Sequence, residues 1–174
     1  ALLLLCALGA AQATGGAMAG VGNRQRNYTN HATNLRDALI GDNSGYDMAA
    51  PPLSWRTREA EAAYTSEAGT DVSLQIRFFK IESVDLATGK LRVRVWWRMS
   101  WEDLRLSWNP ADYGGIEEVH LHASTHVDPE TREIWLPDFT AYNLNVGLMN
   151  SLDWALATAS YDGNVYWSRQ GTIE

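Results

Sequence analysis

A run of strict alternation constrains this chain more than any other feature. Val93, Val95, Trp97, Met99 and Trp101 are interleaved with Arg92, Arg94, Trp96, Arg98 and Ser100. Side chains of a β-strand point to opposite faces with a period of two, whereas a helix repeats about every 3.6 residues. The run predicts a half-buried strand over about 91–101, with the first set on a core and the second toward water. Trp96 is the exception in the water-facing set. A large aromatic held among arginines at a surface either packs under a neighbouring loop or meets a ligand or another chain.

The same period recurs at Val72, Leu74, Ile76 and Phe78, which alternate with Ser73, Gln75 and Arg77. Residues 85–90 read as a turn, with Gly89 available for positive φ. Asn109-Pro110 and Gly114-Gly115 punctuate a loop, and 116–122 and 153–160 read as further strands. Asp162-Gly163 centres a hairpin signal, and Val165, Tyr166 and Trp167 begin the returning strand. Short strands at regular spacing argue an all-β immunoglobulin-like sandwich. Before them, Thr33 or Asn34 caps a short helix to about Ile40, with Leu35, Leu39 and Ile40 on one face. Residues 14–32 are rich in Gly, Asn and Ala and read as loose. Residues 57–68 read as helix or loop, and 123–132 as a polar loop.

Residues 1–13 combine an apolar run with Ala11-Gln12-Ala13, a small-x-small cleavage site, and resemble a truncated signal peptide. That implies the secretory pathway, and it gives meaning to the Asn27-Tyr28-Thr29 glycosylation sequon. Cys6 is the only cysteine, so there is neither an internal disulfide nor a thiolate metal cluster. Net charge is −7, which disfavours nucleic acid as a partner. Eight Trp and seven Tyr against three Phe favour residues with an apolar body and a polar tip, the type enriched at binding surfaces.

Catalytic chemistry finds little support. His120 and His122 share a strand face as zinc ligands do, but no third ligand stands at suitable spacing, His31 and His126 included. Asp103, Asp112, Glu117, Glu118 and Asp138 offer carboxylates for glycoside hydrolysis, yet 21 acidic residues make such pairings cheap. No nucleophile elbow, phosphate loop or Cys/His pair occurs. The chain reads as a non-enzyme without a cofactor. In Trp135-Leu136-Pro137-Asp138, proline ends a strand, and the aspartate is suited to accept backbone N–H groups and lock the turn. Tyr142 then stands in a fixed pose, as either a core or an interface tyrosine.

Together these residues resemble the extracellular ligand-binding domain of the pentameric (Cys-loop) ligand-gated ion channels, the nicotinic acetylcholine receptors in particular. Trp96, Met99, Ser100, Trp101, Asp103, Leu106, Trp108, Asn109, Pro110, Asp112, Tyr113, Gly114, Gly115 and Ile116 carry one motif. Ile134, Trp135, Pro137, Asp138, Tyr142 and Asn143 carry a second, and Asp162, Gly163, Val165 and Trp167 a third. The match is collinear over about 33–168, so 33–174 is expected to be the N-terminal part of that domain, incomplete at its C-terminal end.

The resemblance implies a β-sandwich with an N-terminal helix, five copies around an axis, and a small-molecule agonist between neighbouring subunits. It places Trp96, Tyr166 and Ser168 on the complementary face of the agonist site and Tyr142 on the first principal-face loop. It makes Trp101, Trp108, Trp135, Pro137 and Asp138 structural. At the place of Arg98, receptors for GABA and glycine commonly carry an arginine that meets the ligand carboxylate, so amine and amino-acid ligands both stay open. The full protein is expected on the extracellular side of a membrane, held by a channel domain beyond this sequence. Arg169-Gln170 departs from a usual Pro-Pro, and 123–133 departs in length. A secreted pore-less binding protein of the same fold and a secreted carbohydrate-binding sandwich are the alternatives.

Overall fold

The computed structural model describes residues 15–52, 69–123 and 131–174, with side chains described from residue 24 onward. The leader with Cys6, the 57–68 segment and His126 lie outside the described residues.

Among the described residues, five strands form one open, antiparallel sheet: β1 (Val72–Asp85), β2 (Lys90–Ser107), β3 (Glu118–Leu121), β4 (Ala157–Ser160) and β5 (Asp162–Ile173). Their order across the sheet is β1-β2-β5-β4-β3. With one helix before them, the described chain is all-β, in the sandwich class expected. The turns sit where glycine was read to permit them: Gly89 has φ 70° and Gly163 has φ 89°.

The alternation of β2 translates directly into burial. Val93, Val95, Trp97, Met99 and Trp101 are buried, while Arg94, Trp96 and Arg98 are partly exposed and Arg92 and Ser100 exposed. Trp167, Val165, Leu121, Ala157 and Ala159 extend the core across β5, β4 and β3. The 134–139 segment crosses this face. Trp135 meets Trp101 edge-to-face at 6.1 Å, and Phe139 meets Trp97 at 6.4 Å. Such pairs add roughly 0.5–1.5 kcal/mol each beyond the area they bury.

On β1 the core-facing residues stay open. Leu74 pairs with Met99, Ile76 with Trp97 and Phe78 with Val95, yet Phe78 is 67 % exposed and Leu74 and Ile76 about 40 %. β1 is an edge strand, and the helix and the 134–152 segment pack over β2 and β5 instead. Two bulges hold its phase. Phe79 and Glu82 are extra residues, so Ile81 and Val84 return to the core side, opposite Val93 and Leu91.

The helix α1 runs Gly15–Ile40, well before the expected start at Thr33, and takes in residues read as loose. Gly and Asn disfavour a helix only by tenths to one kcal/mol each. Its last two turns are anchored to the body of the domain. Leu35 and Leu39 are buried one turn apart, and Arg36 forms an ion pair with Glu133 and donates to the His120 carbonyl. Residues 24–30, the Asn27 sequon among them, are exposed. Residues 153–156, read as strand, lie outside β4. A helical turn α2 (Leu148–Ser151) precedes them, and Leu152 makes a lone bridge to Gly171.

Candidate functional site

The outer face of the sheet gathers four of the five residues expected to bind a ligand. β2 and β5 are paired so that Arg98 faces Ser168 and Ser100 faces Tyr166, with Trp96 one step along opposite Gln170. The register puts Trp96, Arg98, Tyr166 and Ser168 on one side of the sheet, because they alternate with the buried Trp97, Met99 and Trp167. The Trp96 indole N–H donates to the Ser168 hydroxyl, 2.5 Å away. The Arg98 guanidinium lies over the Trp96 ring, 3.3 Å from its centroid. Phe79 stacks nearly parallel on the same ring at 5.9 Å. Beside Arg98 a shallow depression of about 350 Å³ opens between Ser73–Gln75, Ser100 and Tyr166.

Tyr142 is elsewhere. It is 95 % exposed, on the loop that follows Phe139, whose ring packs against Trp97 on the core side of the sheet. The structure does not bring it to Trp96 within one chain. It stands on the surface and not in the core.

The residues expected to be structural divide. Trp101 is 3 % exposed. Trp108 is half-buried and donates its indole N–H to the Ile116 carbonyl at 2.7 Å. It precedes the Asn109-Pro110 turn, where the Asn109 side chain accepts from the Ala111 N–H and Gly114 closes in the left-handed region at φ 67°. Trp135 and Pro137 pack on the core face. Asp138 was expected to lock this turn, but it is exposed, and no hydrogen bond to its carboxylate is found among the described residues.

The lock lies in residues the sequence reading missed. The Tyr46 hydroxyl accepts the Trp135 N–H at 3.1 Å and donates to Asp103 at 2.9 Å. Arg105 clasps Asp103 with two bonds of 2.8 Å and stacks over the Tyr46 ring at 4.5 Å. Burial, with the Asp103 charge beside it, pushes the Tyr46 phenol well above the usual tyrosine range, against the opposing pull of the Trp135 N–H. Its hydrogen bonds with Asp103 raise the Arg105 guanidinium further. Asp103, a candidate catalytic carboxylate by type, is fully buried and spent in this network. Asp112, Glu117, Glu118 and Asp138 are exposed, and no group of three potential metal ligands occurs among the described residues.

Arg169 is the second residue that sequence undervalued. It is 2 % exposed and donates to the carbonyls of Asp153, Met149 and Leu152. Burial pulls its guanidinium down to about 10, with Asp153 opposing. The cation ties the 149–153 segment to β5, and Asp153 in turn pairs with Arg94 at 2.8 Å on the outer face.

The sequence profile of the family described as "Neurotransmitter-gated ion-channel ligand binding domain" matches residues 46–174. The chain is 31% identical to the neuronal acetylcholine receptor subunit beta-2 of Rattus norvegicus over 96 residues, 55% of this chain and 18% of the relative. It is 31% identical over 109 residues to the acetylcholine receptor subunit beta of Xenopus laevis, covering 63% and 21% of the two chains. With the human neuronal acetylcholine receptor subunit alpha-3 it shares 30% identity over 96 residues, 55% and 17%. The match spans about a fifth of the length of these curated relatives. No described helix is long and apolar enough to cross a membrane.

Proposed function

Since the chain belongs to the neurotransmitter-gated ion-channel ligand-binding domain family, we propose that it is the agonist-binding part of a channel subunit. It binds a small amine or amino acid on the extracellular side of a membrane, between neighbouring subunits of a pentamer. Trp96, Arg98, Tyr166 and Ser168 contribute one wall. Tyr142 of the adjacent subunit, or the residue at its place, contributes the other. The family is one of receptor domains and not of enzymes.

One observation carries this reading: the outer face of β2 and β5 holds an aromatic–cation cluster, while a nearly naked tyrosine projects from a loop on the other side of the sheet. A single chain leaves both halves incomplete. Stacking such chains about an axis lets one half close on the other. Aromatic faces attract an ammonium group by roughly 0.5–2 kcal/mol per contact once water is excluded. An arginine fork recognises a carboxylate by paired hydrogen bonds. Binding shifts the channel toward the open state only by its preference for that state.

The test is Trp96→Ala in the full-length receptor, read as agonist concentration–response. Potency is expected to fall about ten-fold or more, each decade being about 1.4 kcal/mol. Unchanged potency at normal surface expression removes Trp96 from the site. Sugar binding indifferent to amines would favour the carbohydrate-binding alternative.

A further inference from the structure

A cation stands on the core side of β5. Arg169 alternates with Tyr166, Ser168 and Gln170 and shares the buried side of the strand with Val165, Trp167 and Gly171. Its guanidinium lies 4.8 Å from the Trp167 ring centroid. Among the described residues its hydrogen bonds go to no carboxylate. Nε donates to the Asp153 carbonyl at 2.6 Å, and one terminal nitrogen donates to the carbonyls of Leu152 at 2.6 Å and Met149 at 3.2 Å. The other terminal nitrogen meets the Met149 sulfur at 3.4 Å. These carbonyls lie in and just after α2, where the end of a helical turn leaves acceptors unpaired. A buried charge is costly unless its donors are met, and a rigid planar fork meets three carbonyls only where they hold one arrangement.

The segment held in this way lies along the C-terminal half of β5. The Asp153 N–H donates to the Gln170 carbonyl at 2.6 Å. Asn145 donates its N–H to the Glu174 carbonyl and its side-chain amide to the Glu174 carboxylate, each at 3.0 Å. Gly171 has no room for a side chain, because a Cβ there would collide with the Ser151 carbonyl. Upstream, Phe139 packs on Trp97. Tyr142 is therefore the apex of a short loop, midway between its Phe139 and Asn145 anchors. The same stretch of β5 serves the opposite face of the sheet. Ser168 accepts from the Trp96 indole, Gln170 is the strand partner of Trp96, and Asp153 reaches that face through its ion pair with Arg94.

We propose that Arg169 is a positioning residue of the agonist site: it latches the segment that carries Tyr142 onto the strand that carries Ser168, so that the two half-sites of one subunit are held as one body. The inference rests on the agonist-site reading above. In a ring of subunits, the Tyr142 side and the Trp96 side of one copy belong to different agonist sites, and the latch lies between them. With the latch closed, the Tyr142 loop meets a ligand in one pose, so the cost of ordering it is met before binding. With the latch open, the loop samples many poses, and affinity falls by the fraction that is competent.

The order of the loop is read by double electron–electron resonance between nitroxides placed on Tyr142→Cys, in the full-length, detergent-solubilised protein with Cys6→Ser. One label per copy gives two separations in a ring of five, between adjacent and next-but-one copies. With Arg169 present both distributions are expected to be narrow. Arg169→Met keeps an unbranched chain and loses the fork, and it is expected to broaden both about two-fold. Arg169→Lys keeps the charge and is expected to broaden them less. A label on Glu118→Cys, an exposed position of β3, is expected to keep its width in every variant. Lower stability alone leaves the widths of folded molecules unchanged, so the comparison separates a released latch from a weakened fold. Unchanged widths at position 142 in Arg169→Met, or equal broadening at position 118, overturn the proposal. Where Arg169→Met does not assemble, Arg169→Lys is held to the same two results. Loss of the two ring separations with Arg169 present would instead be the failure of the subunit-interface reading.

Discussion

Tyr46→Phe is the sharpest probe of how the site is held. The substitution removes one oxygen and leaves the ring, its stacking against Arg105 and its packed volume in place. Two hydrogen bonds go with that oxygen, one accepted from the Trp135 N–H and one donated to Asp103. The Asp103 carboxylate keeps both bonds to Arg105, so it is not orphaned. The Trp135 N–H is left without that acceptor beneath a packed segment. An unsatisfied buried backbone group costs about 1–3 kcal/mol, and losing one bond to a charged acceptor adds a comparable amount, so the net loss should be about 2–3 kcal/mol. For a chain of this size that is roughly 5–10 °C in Tm. Melting followed by near-ultraviolet circular dichroism, which reads the tryptophan environment, is the assay. A shift below about 1 °C refutes the assignment of the lock to Tyr46.

Alkaline pH supplies an independent arm. The folded-state pKa of Tyr46 is raised, so its contribution is fully present below the unfolded value of about 10 and is lost as pH rises toward the folded value. Wild type should therefore lose stability above about pH 10 more steeply than Tyr46→Phe, and the gap between them should narrow. Arg169 titrates in both proteins and cancels in the difference.

Arg169→Ala strips three carbonyls of their donor and should destabilise the chain by about 2–4 kcal/mol. Arg169→Lys, with a point charge in place of a fork, should recover only part of that in urea titration. Gly163→Ala places a Cβ 3.0 Å from the Asp103 carbonyl at φ +89° and should cost more than about 1 kcal/mol, read as a lower denaturation midpoint at unchanged slope. The Asp85 carboxyl is held below its usual range by the Thr88 hydroxyl and by the N–H groups of Thr88 and Ala87. Hydrogen exchange at Ala87 and Thr88 should therefore accelerate as pH falls below the unfolded value of about 4, once the exchange rate is corrected for pH. Expressed through a eukaryotic secretory pathway, the chain should carry a glycan on the exposed Asn27, and Asn27→Gln should remove that mass.

What could be read from sequence was whatever depends on near neighbours. Alternation alone separated Trp96 from Trp101, because a one-residue step on a strand changes the face. Gly89 and Gly163 announced their turns for the same local reason. The Tyr46–Asp103–Arg105 network could not be read, since Tyr46 lies 57 residues from Asp103 and 89 from Trp135 in sequence. Asp138 looked the better lock only because it was close by. Arg169 registered as a departure from a family pattern, but its burial depends on where 149–153 packs. On β1, Leu74, Ile76 and Phe78 have the pattern of a buried face, and strand order, not pattern, leaves them exposed. Residues 15–32 lack the apolar stripe that marks a packed helix, so nothing local signalled the first turns of α1.

The central claim is that Trp96 and Tyr142 are opposite halves of a site that only neighbouring subunits complete. A cryo-electron-microscopy map of the assembled full-length protein with a bound amine or amino-acid agonist tests it most directly. The account predicts ligand density between subunits, in contact with Trp96 and Arg98 of one copy, with Tyr142 at the opposite boundary of that copy. A map with the Trp96 face turned away from every subunit boundary, or with Tyr142 outside any interface, would contradict it.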